Sequence, residues 1–106
     1  MIVVTSETIA NKRIVRTLGL VRGNTVRARH IGKDIMASLR NVVGGEVHEY
    51  AKLIAESREQ SLDRMVAEAE SLGANAVVAT RFTTSVMMGG AAELLAVGTA
   101  VVVKDV

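Results

Sequence analysis

Apolar positions recur at intervals of three and four between Val47 and Leu72: Val47, Tyr50, Ala51, Ile54, Leu62, Met65, Ala69 and Leu72, with Ser61 on the same stripe. That spacing predicts one amphipathic helix running from Glu46 to a stop at Gly73. At 1.5 Å per residue the helix is about 40 Å long, more than one small sheet covers. Its opposite face suits water. Lys52 and Glu56 are four apart, as are Arg64 and Glu68, and Glu46 and Glu49 occupy the first turn, where the helix dipole favours acids. Arg58 falls at the edge of the apolar stripe, where its stem can pack while its head reaches a carboxylate or carbonyl.

The same periodicity at Ile35, Met36, Leu39, Val42 and Val43 predicts a shorter helix within Lys33 to Val43, with Gly44 as its left-handed C-terminal cap. The remaining pattern is β. Ile14 to Arg29 is rich in β-branched residues, and Gly19 and Gly23 inside it predict bulges or sharp bends. Ala76 to Ser85 predicts a strand, Gly89-Gly90 a turn, and Glu93 to Lys104 the hairpin partner. On that last strand Val97, Val101 and Val103 lie on one face and Ala100 and Val102 on the other, so both faces are expected to be buried, one of them against a neighbour or the preceding strand. The opening MIVVTS fits a short strand or a tail ordered against a neighbouring subunit. With no proline, repeat or low-complexity run, residues 1–106 read as one domain of α+β class, a long and a shorter helix packed on a small antiparallel sheet.

Composition pushes this picture toward assembly. A 106-residue chain that is 49% apolar buries only roughly 60 to 68% of its unfolded surface, so it has more apolar surface than it readily hides. Homo-oligomerisation, or patches that mark interfaces, follows as the expectation. The absence of cysteine removes disulfides, thiolate metal sites and thiol nucleophiles, and fits a reducing compartment. No signal-like apolar segment opens the chain and no run reaches the ~18 apolar residues of a membrane span. A soluble, cytoplasmic protein without a membrane partner is expected.

Net charge is +2 but unevenly placed: up to residue 45 eight Lys or Arg stand against Glu7 and Asp34, and beyond it five stand against nine acids. Such polarity suits an anionic partner or, the preferred reading, the meeting of one subunit's basic face with the next subunit's acidic helix.

Candidate chemistry is sparse. His30 and His48 are not spaced as a ligand pair, but His48 lies between Glu46 and Glu49, so these three are weak candidates for a divalent metal ion, and only where symmetry brings several copies together. The glycines match neither dinucleotide nor phosphate-loop motifs, and Thr83, Thr84 and Ser85 have no histidine beside them. Five arginines between Arg13 and Arg29 make a basic strand surface, yet no aromatic accompanies them, which argues against a single-strand nucleic-acid platform. No catalytic residue and no definite cofactor are assigned. The leading reading is a non-enzymatic homo-oligomer binding a metal ion or small anion between subunits. Alternatives are an enzyme with an inter-subunit site using Arg58, His48 and Glu46 or Glu49, and an Arg-mediated nucleic-acid binder.

Gly23, Asp34 within Ile31 to Arg40, Gly44-Gly45, Tyr50, Arg58, Met65, Ala69, the run Gly73-Ala74-Asn75-Ala76-Val77-Val78 and Gly98-Thr99-Ala100-Val101 together resemble the YbjQ-like proteins. These are small bacterial and archaeal proteins of unknown function labelled heavy-metal-binding, and the resemblance covers nearly the whole chain. It implies a dodecin-like subunit assembled into a ring-shaped homopentamer. One segment departs from it: where many relatives look acidic after the GANAVV run, this chain has Ala79 to Ser85 with Arg81 and no carboxylate.

Overall fold

The computed structural model describes residues 1–26, 45–86 and 92–106. In chain order these form β1 (Ile2–Val3), β2 (Lys12–Val26), α1 (Gly45–Ser71), β3 (Ala76–Val86) and β4 (Ala92–Asp105). The strands make one sheet in the order β1-β3-β4-β2, with β4 antiparallel to both β2 and β3, and β1 parallel to β3.

Two expectations are corrected here. The sheet is mixed rather than antiparallel, because the crossover from β1 to β3 includes β2 and the helix and is long enough to bring the chain back in the same direction. The described residues hold one helix on a four-stranded sheet, a small α+β fold, and this arrangement does not carry the dodecin-like, ring-forming subunit with a long and a short helix. The segment assigned to the shorter helix, its cap at Gly44 and the Gly89-Gly90 turn lie outside the described residues.

The long helix ends as its sequence dictates. Gly73 takes a φ of 88°, and its N–H donates to the Glu70 carbonyl while the Ala74 N–H donates to Ala69, both at 3.0 Å. These paired bonds satisfy carbonyls that the last turn leaves open, and the left-handed residue they require is the glycine. Asn75 then fastens the chain to β4: its side-chain amide donates to the Val103 carbonyl at 2.9 Å and its Oδ1 accepts from the Val103 N–H at 2.8 Å.

The helix lies close to β2 because its buried line is small. Ser57, Ser61, Met65 and Ala69, each four residues from the next, are fully buried. A Cβ on Gly23 would stand 2.3 Å from the Met65 nitrogen and the Ser61 carbonyl oxygen, so backbone meets backbone there. Gly23 sits in a regular ladder and makes no bulge; the register shifts of β2 fall at Ile14/Arg16 and at Thr17/Gly19, where Gly19 has a φ of 121°. Beneath the helix, the Thr25 and Ser61 hydroxyls lie 2.9 Å apart, and Ser61 also reaches the Leu94 carbonyl at 2.9 Å.

The core has two parts, one on each sheet face. Val21, Met65, Ala69, Val77, Ala96 and Ala100 pack on the helix side. Ala76, Val78, Val101 and Val103 pack on the other, under Val4 and Ile9 of the chain's own opening segment. The cover that the apolar end of β4 required therefore comes from the same subunit, where β1 and the residues after it run along β3.

Candidate functional site

Residues directly opposite each other in a ladder share a face of the sheet. On the face away from the helix, the registers set up successive rows: Leu20, Thr99 and Val78; then Arg22, Val97 and Arg81; then Asn24, Leu95 and Thr83; then Val26, Glu93 and Ser85. The opening segment covers the first of these only at Val78. No described element covers the later rows, and Leu20 is 66% exposed and Val26 52%. The result is an open apolar strip crossed by two arginines.

Arg81 reaches that face through a bulge. Val78 pairs with Thr99 and Arg81 with Val97, so β3 spends three steps where β4 spends two. In an unbroken ladder residue 81 would oppose Ala96, on the helix side. The bulge is strained: Ala79 has a φ of 54°, a left-handed conformation that alanine adopts at a cost. Thr80 is 3% exposed and its hydroxyl has no hydrogen-bond partner among the described residues. The opening segment holds the bulge in place, with the Ala79 N–H donating to Ser6 at 2.8 Å and the Thr80 N–H to Val4 at 3.1 Å. Arg81 Nη1 donates to the carbonyls of Thr5 at 2.7 Å and Thr80 at 2.8 Å. Arg22 has no ion-pair or hydrogen-bond partner among the described residues, and Glu93, two rows away on this face, accepts from Asn24 Nδ2 at 3.1 Å.

The residues singled out by sequence are placed differently. Glu46, His48 and Glu49 belong to the opening of α1, where positions 46 and 49 share a helix face that position 48 does not; their side chains, and His30 altogether, lie outside the described set. Arg58 is exposed and borders a shallow depression of about 440 Å³ with Lys52, Ala55, Glu56, Glu59 and Gln60. Every lining residue comes from one helix, so the depression has no facing wall. Thr83, Thr84 and Ser85 are exposed on β3. Among the described residues no group of three or more His, Cys, Asp or Glu is placed to hold a metal ion, and no helix is long and apolar enough to cross a membrane. At the far end of β2 and β4, Lys12 Nζ donates to Asp105 Oδ1 at 2.5 Å. That hydrogen bond and the lysine's charge hold the Asp105 carboxyl below its ordinary range.

Sequence reading missed the row formed by Arg22, Val97 and Arg81. Counting alternation from Ala76 sets Arg81 on the wrong face, and only the extra residue at Ala79-Thr80 corrects it.

Comparison with known proteins fits this fold. A solved structure of a protein of unknown function from Pediococcus pentosaceus, assigned to the DUF74 family, superposes with a TM-score of 0.65 at 12% identity over 98% of each chain; at that identity the likeness is one of fold. Sequence relatives are much nearer. A UPF0145 protein from Methanosarcina acetivorans is 57% identical over 99% of each chain. One from Dehalococcoides mccartyi is 53% identical over 98% of this chain and all of its own. The family model for YbjQ, described as "Putative heavy-metal-binding", matches residues 1–104. The chain belongs to the YbjQ family.

Proposed function

We propose that this protein is a non-enzymatic homo-oligomer, a pentamer in its working form, that binds a small anion at contacts between subunits. The observation that carries this reading is the part of the sheet that no described residue covers: an apolar strip on which Arg22 has no partner among the described residues, beside a β2 whose outer edge has no strand partner among them. A long bare edge next to exposed Leu20 and Val26 is a liability that proteins cover or pair. The shape adds support. A radius of gyration of 17.1 Å and extents of 56 × 23 × 16 Å compare with about 13 Å for a compact chain of 100 residues.

The family description points to a metal instead. The described residues do not fit one, having no thiolate and no convergent carboxylate or imidazole set. We place any metal ion between several copies of the chain, with Glu46, His48 and Glu49 as its ligands. The test is native mass spectrometry and light scattering of tag-free protein over a dilution series. A pentamer whose melting temperature falls on dilution is expected; a monomer at micromolar concentration with a constant melting temperature overturns the oligomer. Submicromolar zinc at one ion per subunit that survives His48→Ala overturns the shared metal site.

A further inference from the structure

We propose that Arg22 and Arg81 form a binding site for a doubly charged oxyanion of the phosphate class, seated over Val97 on the open face of the sheet. The proposal rests on the anion-binding reading above and names its residues; it does not depend on the number of subunits.

The geometry is that of a clamp. Arg22 and Arg81 are the two neighbours of Val97 in one cross-strand row, so their Cα atoms stand two strand spacings apart, about 10 Å. Arg81 is held in place at the β1 side of its row, and an arginine stem at position 22 is long enough to approach it across Val97. Both Nη1 protons are engaged by the Thr5 and Thr80 carbonyls, which leaves the Nε and Nη2 edge, the edge that matches two oxygens of one acceptor. No strand position in this row or in either adjoining row carries a carboxylate, and among the described residues neither arginine makes an ion pair beside Leu20, Val97 and Leu95. A monoanion would neutralise one guanidinium. A dianion neutralises both.

The bulge is the independent sign that this placement matters. Left-handed Ala79 and the orphan Thr80 hydroxyl both destabilise the fold. Their joint structural effect is to move Arg81 from the helix side to the row of Arg22. Bulges re-aim side chains beside functional sites in just this way.

The test is calorimetric titration of tag-free protein with inorganic phosphate, and with acetate at matched ionic strength, with light scattering on every sample. Phosphate is expected to bind at one per subunit and at least tenfold more tightly than acetate. Arg22→Gln and Arg81→Gln should each weaken it at least tenfold, while Arg13→Gln, remote on β2, changes it less than twofold. Because Arg81 also fastens the opening segment, Arg22→Gln, which breaks no described contact, decides the matter where Arg81→Gln is unstable. Absence of phosphate binding, or equal weakening by Arg13→Gln, overturns the clamp. Light scattering separates that failure from a failure of the oligomer: a pentamer that ignores phosphate refutes the anion site alone, and a monomer that binds phosphate through Arg22 supports the clamp while refuting the assembly.

Discussion

The two faces of the sheet are built on opposite plans. Under the helix, β2 offers Val21, Gly23 and Thr25, β4 offers Leu94, Ala96 and Ala100, and all are buried. Small side chains let the helix backbone touch the strand, and hydroxyls at Thr25, Ser57 and Ser61 are hydrogen-bonded to one another or to nearby carbonyls. On the other face β2 offers Leu20, Arg22, Asn24 and Val26, all exposed, and β4 offers Glu93, Leu95, Val97 and Thr99, all half-buried. One face is closed by close approach and has no room to change. The other carries strain and, at Arg22, a charge with no partner among the described residues, the usual marks of a surface kept for something else.

The comparison breaks first at Gly23. A methyl group there meets backbone atoms of Ser61 and Met65 at 2.3 Å, and neither can turn aside. Gly23→Ala should therefore lift the helix off β2 and cost about 3 kcal/mol or more, at the upper end of overpacking effects. Chemical denaturation measures it. A loss under 1 kcal/mol would mean that helix and strand are not in backbone contact.

Ser61→Ala comes next. It removes the hydroxyl that lies against Thr25 and reaches the Leu94 carbonyl and leaves buried polar atoms without that partner, at a cost of about 2 kcal/mol. An unchanged denaturation midpoint would show that the seam under the helix contributes nothing to stability.

Much of the closed face was legible beforehand. The three-and-four spacing and Gly73 placed the helix and its end, and the β-rich runs placed three of the strands to within a few residues, because these features are local. Ser57 was missed since a serine at a core position reads as surface until its partners are known. The parallel pairing of β1 rests on Ile2 and Val3 alone, too short a run to announce a direction, and it is this segment, rather than a second subunit, that covers Val101 and Val103. The open face was the harder one. Its arginines were visible as a basic stretch, but which of them share a face depends on register, and one extra residue in β3 reverses the count. Nothing in Ala79-Thr80 marks a bulge, since both residues suit an ordinary strand or helix.

Thr80→Val probes the strain directly. Valine keeps the branched shape and removes the unpartnered hydroxyl, so the variant should be more stable by about 1 kcal/mol. With Arg81 still clamped by Thr5, phosphate binding should be unchanged. A loss of stability beyond 1 kcal/mol would reveal a partner for that hydroxyl.

Leu20→Ser tests the open face with a smaller effect. At 66% exposure the side chain contributes little within one subunit, and unfolding of the dissociated chain should shift by less than about 0.5 kcal/mol. If the strip lies between subunits, the variant should dissociate at higher concentration than the parent. Identical dissociation profiles would move the interface elsewhere on the molecule.

The smallest effect belongs to Lys12 and Asp105, where β2 and β4 begin and end far from both plans. Asp105 is held below its ordinary pKa by the hydrogen bond and charge of Lys12, so the folded state binds this proton more weakly than the unfolded chain does. The pair's contribution is therefore complete above the unfolded carboxylate range, near pH 4, and is lost as pH falls through the lower folded value. It stands in water, where salt screens it. Asp105→Asn should lower the urea midpoint slightly at pH 7 in dilute buffer, and the difference from the parent should vanish in 1 M salt and again in acid. A difference that instead grew below pH 4 would mean that Asp105 is stabilised in its protonated form, against the geometry of its bond to Lys12.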